Sequence, residues 1–311
     1  MMKKLTYTRL LNETIAIYEK NGSLEAYQFI KEHAENVNGN KAQLYNFQYT
    51  LAAASDLKEE AMDLMKEAIL VHGYWYEYEY LQQDEDLNSL RSIEAFQELV
   101  EICKTREETE KREAEPKLTL LHKGVSEDKQ VLMALHGDQE NAEMTSSAWN
   151  RPATQNYTLA FPQSSQIQFS DAYEWEDVEK GVQEIDNHVK SLSVSNSFLI
   201  GGFSAGCRVA LKAIIDGHIS PNGFIFVAPW LPEIDEWKEA IASLKNRSIS
   251  GYIICGEQDD DCLEGSKALS DVLEENDIAH ELKIITGLDH EYPEAFNESL
   301  QRALQFISKN K

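Results

Sequence analysis

Gly201-Gly202-Phe203-Ser204-Ala205-Gly206 is the stretch from which the rest of the chain is read. It contains G-x-S-x-G, follows an apolar run at 197–200, and precedes a segment at 205–215 whose apolar residues recur at helical spacing. In that setting the string specifies a strand, a sharp turn and a helix. The turn lifts the Ser204 hydroxyl clear of the backbone, and the helix leaves with its N-terminus toward it. Gly202 and Gly206 flank the serine where a Cβ would crowd the approach of strand to helix. Taken as a bare string the same residues form an ordinary turn; the flanking strand and helix make Ser204 a nucleophile.

Working outward, apolar strand patterns fall at 118–121, 131–135, 157–161, 223–227, 251–255 and 282–285, besides the one that enters the turn. Helical patterns intervene at 175–192, 235–244, 265–275 and 294–307, besides the one that leaves it. Strands separated by helices imply a mostly parallel sheet covered on both faces. In such sheets chemistry collects at the carboxyl ends of the strands.

Three further loops follow strands. The first is Gly256-Glu257-Gln258-Asp259-Asp260-Asp261-Cys262 and the second Gly287-Leu288-Asp289-His290-Glu291-Tyr292-Pro293. The chain order Ser204, acid, His290 is the order in which a strand-turn-helix nucleophile meets its partners. His290 would take the Ser204 proton, and the acid would fix the imidazole tautomer and stabilise its charged form. Asp259 is the expected acid, with Asp260 as runner-up. A metal is a competing use of three adjacent carboxylates, but no convergent histidines accompany them and solvated acids need no cation. The third loop, His136-Gly137-Asp138-Gln139-Glu140-Asn141, follows the strand at 131–135. The N–H of Ala205 is expected to supply one donor to an oxyanion, and the N–H of Asp138 or Gln139 the other.

Leu135-His136-Gly137, Gly202-Phe203-Ser204-Ala205-Gly206, Ala228-Pro229-Trp230-Leu231-Pro232, Gly256-Glu257-Gln258-Asp259 and Asp289-His290 together resemble the phospholipase/carboxylesterase group of α/β-hydrolases, which includes acyl-protein thioesterases. The resemblance covers about 118–311. It implies an α/β-hydrolase fold and hydrolysis of a carboxylic ester or thioester through an acyl-enzyme, with no metal or organic cofactor. The choice of Asp259 also leans on it, because Gly-x-x-Asp directly after the strand resembles that superfamily's acid loop. The chain departs from the group at Gln139, where a glycine is frequent, and at Ala205-Gly206-Cys207, where Gln-Gly-Gly is frequent. Both departures bear on the acyl pocket and neither removes a triad member. Phe203, Trp230, Trp175, Tyr173 and Tyr292 are the candidate pocket walls.

The first third of the chain has a different period. Helical spacing recurs in Leu10, Leu11, Ile15 and Tyr18, then past Asn21-Gly22 in Leu24, Tyr27 and Ile30, then in Leu44 to Ala54 and Ala61 to Ile69. A third pair is expected at 75–82 and 93–103. Hairpins recurring at about 34 residues are what stacked helical repeats produce, and the segment 61–91 resembles the end of a divergent tetratricopeptide array. The aromatic run His72-Gly73-Tyr74-Trp75-Tyr76-Glu77-Tyr78-Glu79-Tyr80 is expected to pack the last pair or dock against a second domain, with a groove for a protein or peptide partner as the third option. Pro116 ends the charged helix before it, so an all-α helical-hairpin repeat domain is expected at 1–115 and the α/β-hydrolase domain at 116–311.

The formal net charge of −25 over 311 residues opposes attraction to nucleic acid and to anionic membrane. The start, Met1-Met2-Lys3-Lys4-Leu5, lacks an apolar h-region and no stretch is long enough to span a bilayer. Cys103, Cys207, Cys255 and Cys262 form no C-x-x-C pair or disulfide framework. A cytoplasmic serine esterase acting on a small-molecule ester or acyl substrate is therefore expected. The alternatives are a serine peptidase or amidase and a helical-repeat adaptor carrying an idle hydrolase domain.

Overall fold

The computed structural model describes residues 5–121, 130–192 and 198–310; Met1 to Lys4, Ser197 and Lys311 from the sequence expectations lie outside them. The chain divides into two compact units, Met1–Ala114 with Ile167–Ala172, and Glu115–Gln166 with Tyr173–Lys311.

The first unit is built from α1 (Tyr7–Asn21), α2 (Ser23–His33), α3 (Lys41–Ala54), α4 (Lys58–Lys66), α5 (Tyr78–Gln83) and α6 (Glu94–Glu113), with one turn of π-helix at Glu67–Val71. Thr6 caps α1 by accepting from the Arg9 N–H, and Asn40 caps α3 by accepting from the Gln43 N–H. Gly22, at φ 94°, turns the chain between α1 and α2. The expected third helix pair begins later than its periodicity indicates. Trp75 and Tyr76 precede α5 outside any helix or strand, where the Trp75 N–H donates to Ser170 Oγ at 2.8 Å. Both rings are buried, and Tyr76 Oη donates to the Ala42 carbonyl at 2.9 Å. Arg106 on α6 donates to the Ile69 carbonyl in the π turn and to the Tyr74 carbonyl beyond it, at 2.7 and 2.8 Å.

From there the chain runs through β1 (Lys117–Leu121), β2 (Val131–Leu135), α7 (Ala142–Trp149), β3 (Thr158–Gln163), the short β4 (Ile167–Phe169), which belongs to the first unit, and β5 (Ala172–Tyr173), which begins at the last residue of that unit, and then, in the second unit, α8 (Val178–Ser191), β6 (Phe198–Phe203) and α9 (Ala205–Ile215). It closes with β7 (Gly223–Val227), α10 (Ile234–Ala242), β8 (Ser250–Gly256), α11 (Leu263–Glu275), β9 (His280–Ile285) and α12 (Phe296–Lys309). Seven strands form one sheet in the order β1-β3-β2-β6-β7-β8-β9. Among the described residues of this sheet only β1 runs antiparallel to its neighbour, so the sheet is mostly parallel and the fold is that of an α/β-hydrolase.

Side chains alternate between two cores along every central strand, as the two-residue period requires. Met133, Ile200, Phe224 and Phe226 face one core with Val182, Val209, Ile241 and Leu269 from α8 to α11. Leu132, Leu199, Ile225 and Val227 face the other with Trp149 from α7 and Phe296, Leu300 and Ile307 from α12. No side chain caps α12. Its apolar stripe, each large member contributing roughly 1.5–3 kcal/mol on burial, is what holds it to the sheet. The register pairs Leu135 with Gly202, Phe203 with Val227 and Gly256 with Ile285. The carboxyl ends of β2, β6, β7, β8 and β9 therefore share one edge. No helix among the described residues is long and apolar enough to cross a membrane.

Candidate active site

Ser204 occupies the turn between β6 and α9 with φ 51° and ψ −122°. A non-glycine residue in that region costs about 1–3 kcal/mol and persists only where its surroundings impose it. Here the backbone imposes it: the Ser204 N–H donates to the Val227 carbonyl at 3.0 Å, and the Ser204 carbonyl accepts from Cys207 at 3.0 Å and Trp230 at 3.3 Å. The flanking glycines make this possible. A Cβ on Gly202 would lie 2.9 Å from the Cys207 nitrogen, and one on Gly206 would overlap the His136 carbonyl oxygen. Ala205 opens α9, so its N–H is among those without a partner inside the helix, at the end where the dipole is positive.

Gly256 ends β8 at a point where a Cβ would overlap the Leu288 carbonyl oxygen. This close approach, held by the Gln258 N–H donating to Leu288 at 2.9 Å, brings the acid loop to the histidine loop. Asp260 and Asp261 are exposed, but Asp259 is buried at 1% exposure, which corrects the expectation of three solvated acids. Its Oδ1 accepts from the Cys262 N–H at 3.1 Å and its Oδ2 lies 2.9 Å from His290 Nδ1. With the ring proton on Nδ1, donated to the carboxylate, Nε2 is left as the basic nitrogen. Burial alone would lower the His290 pKa. The hydrogen bond and charge of Asp259, with the negative fields of Glu140 and Asp261, outweigh it and raise the value above that of an ordinary histidine. Among the described residues the ring is hydrogen-bonded to Asp259 and not to Ser204, whose neighbour Phe203 packs against it at 4.9 Å between centroids.

The donor atoms of Asp259, Cys262 and His290 lie within 4.8 Å of one another. Nδ1 faces Asp259 Oδ2, and burial raises the Cys262 pKa.

The loop after β2 is held by side chains. His136 is wholly buried, with Nδ1 2.8 Å from the Gly137 carbonyl and Nε2 accepting from the Ser164 N–H at 3.2 Å. Burial lowers its pKa to about 4, so the ring is neutral. Trp175 stacks on it at 4.8 Å and donates from Nε1 to the His136 carbonyl at 2.9 Å. The Trp175 N–H donates to Asp138 Oδ1 at 2.8 Å. Trp175, expected as a pocket wall, is thus a wholly buried support beneath the loop. Asp138 and Gln139 are exposed at its tip, Gln139 with φ 60°. A Cβ on Gly137 would be 3.4 Å from Ser204 Cβ, so this loop and the serine are immediate neighbours.

Of the other aromatic candidates, Phe203 is buried and stacks on half-buried Tyr292 at 4.6 Å. Tyr292 Oη accepts from Trp149 Nε1 at 3.2 Å. Half-buried Trp230 lies under the Arg208 guanidinium at 5.0 Å, and the Tyr173 ring meets His136 edge-on at 6.3 Å. Sequence reasoning gave Glu140 no role. Its Oε2 accepts from the Gly137 N–H at 3.0 Å, and its three-residue spacing from Gly137 was the available signal for such a turn.

Residues 6–111 match the family model described as A/B hydrolase-like, N-terminal domain, and residues 175–311 match the one described as Phospholipase/Carboxylesterase. Among solved structures, an uncharacterized protein from Bacillus cereus ATCC 10987 is 47% identical, with a TM-score of 0.57 over 98% of this chain and 100% of that one. Esterase PE8 is 16% identical, with a TM-score of 0.53 over 62% of this chain and 99% of its own, a likeness of fold. No curated protein matches the chain.

Proposed function

The chain belongs to the phospholipase/carboxylesterase family of α/β-hydrolases, and from that premise we propose that Ser204, His290 and Asp259 cleave a small carboxylic ester or thioester through an acyl-enzyme. His290 Nε2 takes the Ser204 Oγ proton as the oxygen attacks the substrate carbonyl. The N–H groups of Ala205 and of Asp138 or Gln139 receive the developing oxyanion. Collapse of the tetrahedral adduct breaks the ester bond, and the imidazolium returns its proton to the departing alcohol or thiol. Water, deprotonated by the same nitrogen, then releases the acid and restores Ser204. All steps use groups of this chain and water. The helical region 1–115 is assigned no part in the chemistry, which belongs to 116–311, and a protein or peptide partner is reserved for the helical region.

The observation that carries this reading is the 2.9 Å contact from buried Asp259 to His290 Nδ1, because it dedicates Nε2 to proton transfer. A bond from Nε2 to the serine commonly forms or tightens only with substrate bound. The test is labelling with a fluorophosphonate alongside hydrolysis of p-nitrophenyl acetate and butyrate. Wild type is expected to label and to turn over both esters, and Ser204→Ala to do neither. Folded wild type that neither labels nor hydrolyses esters, or that cleaves peptide amides alone, would overturn the proposal.

A further inference from the structure

We propose that Glu140 is a positioning residue for the His290 imidazole, a second carboxyl group that clamps the loop after β2 and governs the proton on the ring. This rests on the hydrolase reading above.

Glu140 is 9% exposed, and among the described residues no lysine or arginine pairs with its carboxylate. Its Oε2 accepts from the Gly137 N–H at 3.0 Å. A Cβ placed on Gly137 would sit 3.3 Å from that same oxygen, 2.8 Å from the Phe203 ring and 3.4 Å from Ser204 Cβ. The carboxyl group, the aromatic ring and the nucleophile therefore converge on one point, and the Phe203 ring also packs on His290, 4.9 Å between centroids. A buried carboxylate needs a counter-charge. The cation that forms here is the His290 imidazolium, either as the resting ring titrates or as it takes the Ser204 proton.

The titration behaviour follows that geometry. Burial raises the Glu140 pKa to about 7, against the Gly137 hydrogen bond and the positive field of His290, with Asp138 adding to the rise. Reciprocally, the Glu140 charge raises the His290 pKa, as linkage between two sites demands. The other groups acting on these two are Asp259, Asp261 and Cys262 around the ring, Asp289 next to it, and Asp138 and Tyr292 beside Glu140. His136 under the loop stays neutral at working pH. Asp259 fixes the tautomer by contact at Nδ1. Glu140 acts from the opposite loop by charge alone, so the two contributions separate experimentally.

Glu140→Gln keeps an acceptor for the Gly137 N–H and removes the charge. In the full chain, the NMR titration midpoint of the His290 ring is expected to fall by about half a unit to one unit. The acid limb of kcat/KM for p-nitrophenyl butyrate should move to lower pH by the same amount. A midpoint and limb that coincide with wild type would reduce Glu140 to a loop clamp and overturn the proposal. If wild type hydrolyses no ester, the functional reading fails, while the ring titration still decides this inference. Should Glu140→Gln not fold, the carboxyl 13C titration of Glu140 is compared between wild type and His290→Gln. Removing the imidazolium should raise the Glu140 midpoint, and an unmoved midpoint would overturn the proposal equally.

Discussion

The turn that carries Ser204 and the loops around it are held by opposite means. Backbone geometry holds the turn: three main-chain hydrogen bonds fix Ser204, and two glycines allow strand, helix and the His136 carbonyl to approach closely. Side chains hold the loop after β2, through the His136 ring, the Trp175 indole, and the Asp138 and Glu140 carboxylates. Buried Asp259 likewise ties the acid loop to His290. A backbone-held turn announces itself in a short string, because few residues other than glycine fit it. A side-chain-held loop is spread over residues as far apart as His136 and Trp175, and no local pattern records it.

The largest effect expected on the side-chain half of this contrast is at the acid. Asp259→Asn should retain the fold and lose roughly 10⁴ in kcat, because the amide no longer holds the catalytic tautomer. Asp260→Asn, at an exposed position, should match wild type in the same assay. Comparable loss in both would break the assignment of one acid. On the backbone half, Gly206→Ala forces a methyl into the His136 carbonyl and within 2.9 Å of Leu135 Cβ. It should cost about 1–3 kcal/mol of stability as overpacking and about 10²–10³ in kcat by pushing away the proposed second oxyanion donor. Denaturation midpoints together with ester kinetics check both halves, and a fully active, equally stable variant would refute backbone control of the turn.

The same contrast explains what the sequence made legible. The strand-turn-helix around Ser204 and the carboxyl-end loops could be placed because apolar runs and glycines mark them directly. Asp259 could not be separated from Asp260 and Asp261 by residue type. Burial separates them, and that burial follows from the approach of Gly256 to Leu288, a contact across 32 positions of sequence. The helix α7 was missed because Ala-Glu-Met-Thr-Ser-Ser-Ala-Trp has little apolar periodicity. Asn141 caps it, accepting from the Met144 N–H at 2.9 Å, and Trp149 anchors it against Gly201, where a Cβ would overlap the indole. Trp175 reads as a pocket wall from sequence because an aromatic residue near a strand end fits both roles. Only its bond to the His136 carbonyl reveals the second.

That bond gives the next prediction. Trp175→Phe keeps most of the stacking on His136 and deletes the Nε1 donor, leaving a buried carbonyl without it, at a cost of about 1–3 kcal/mol. Urea unfolding measures it. A loss below about 0.5 kcal/mol would mean that stacking, not hydrogen bonding, holds this side of the loop.

The smallest effect expected is at the loop's tip. Asp138 Oδ1 accepts from the Trp175 N–H at 2.8 Å, and an asparagine in the same rotamer presents a carbonyl oxygen to the same donor. Asp138→Asn therefore removes charge and keeps the acceptor, so its cost is the difference between a charge-assisted and a neutral bond, about 1 kcal/mol. Although the residue is exposed, burial of its carboxyl group raises the pKa, so the charge that Asp138→Asn removes is one the site already disfavours, and the cost is smaller still. Urea unfolding of Asp138→Asn beside Trp175→Phe ranks the two anchors. If Asp138→Asn proves the more damaging, the loop is held chiefly by the charge at its tip, and the buried indole is packing that any large aromatic could supply.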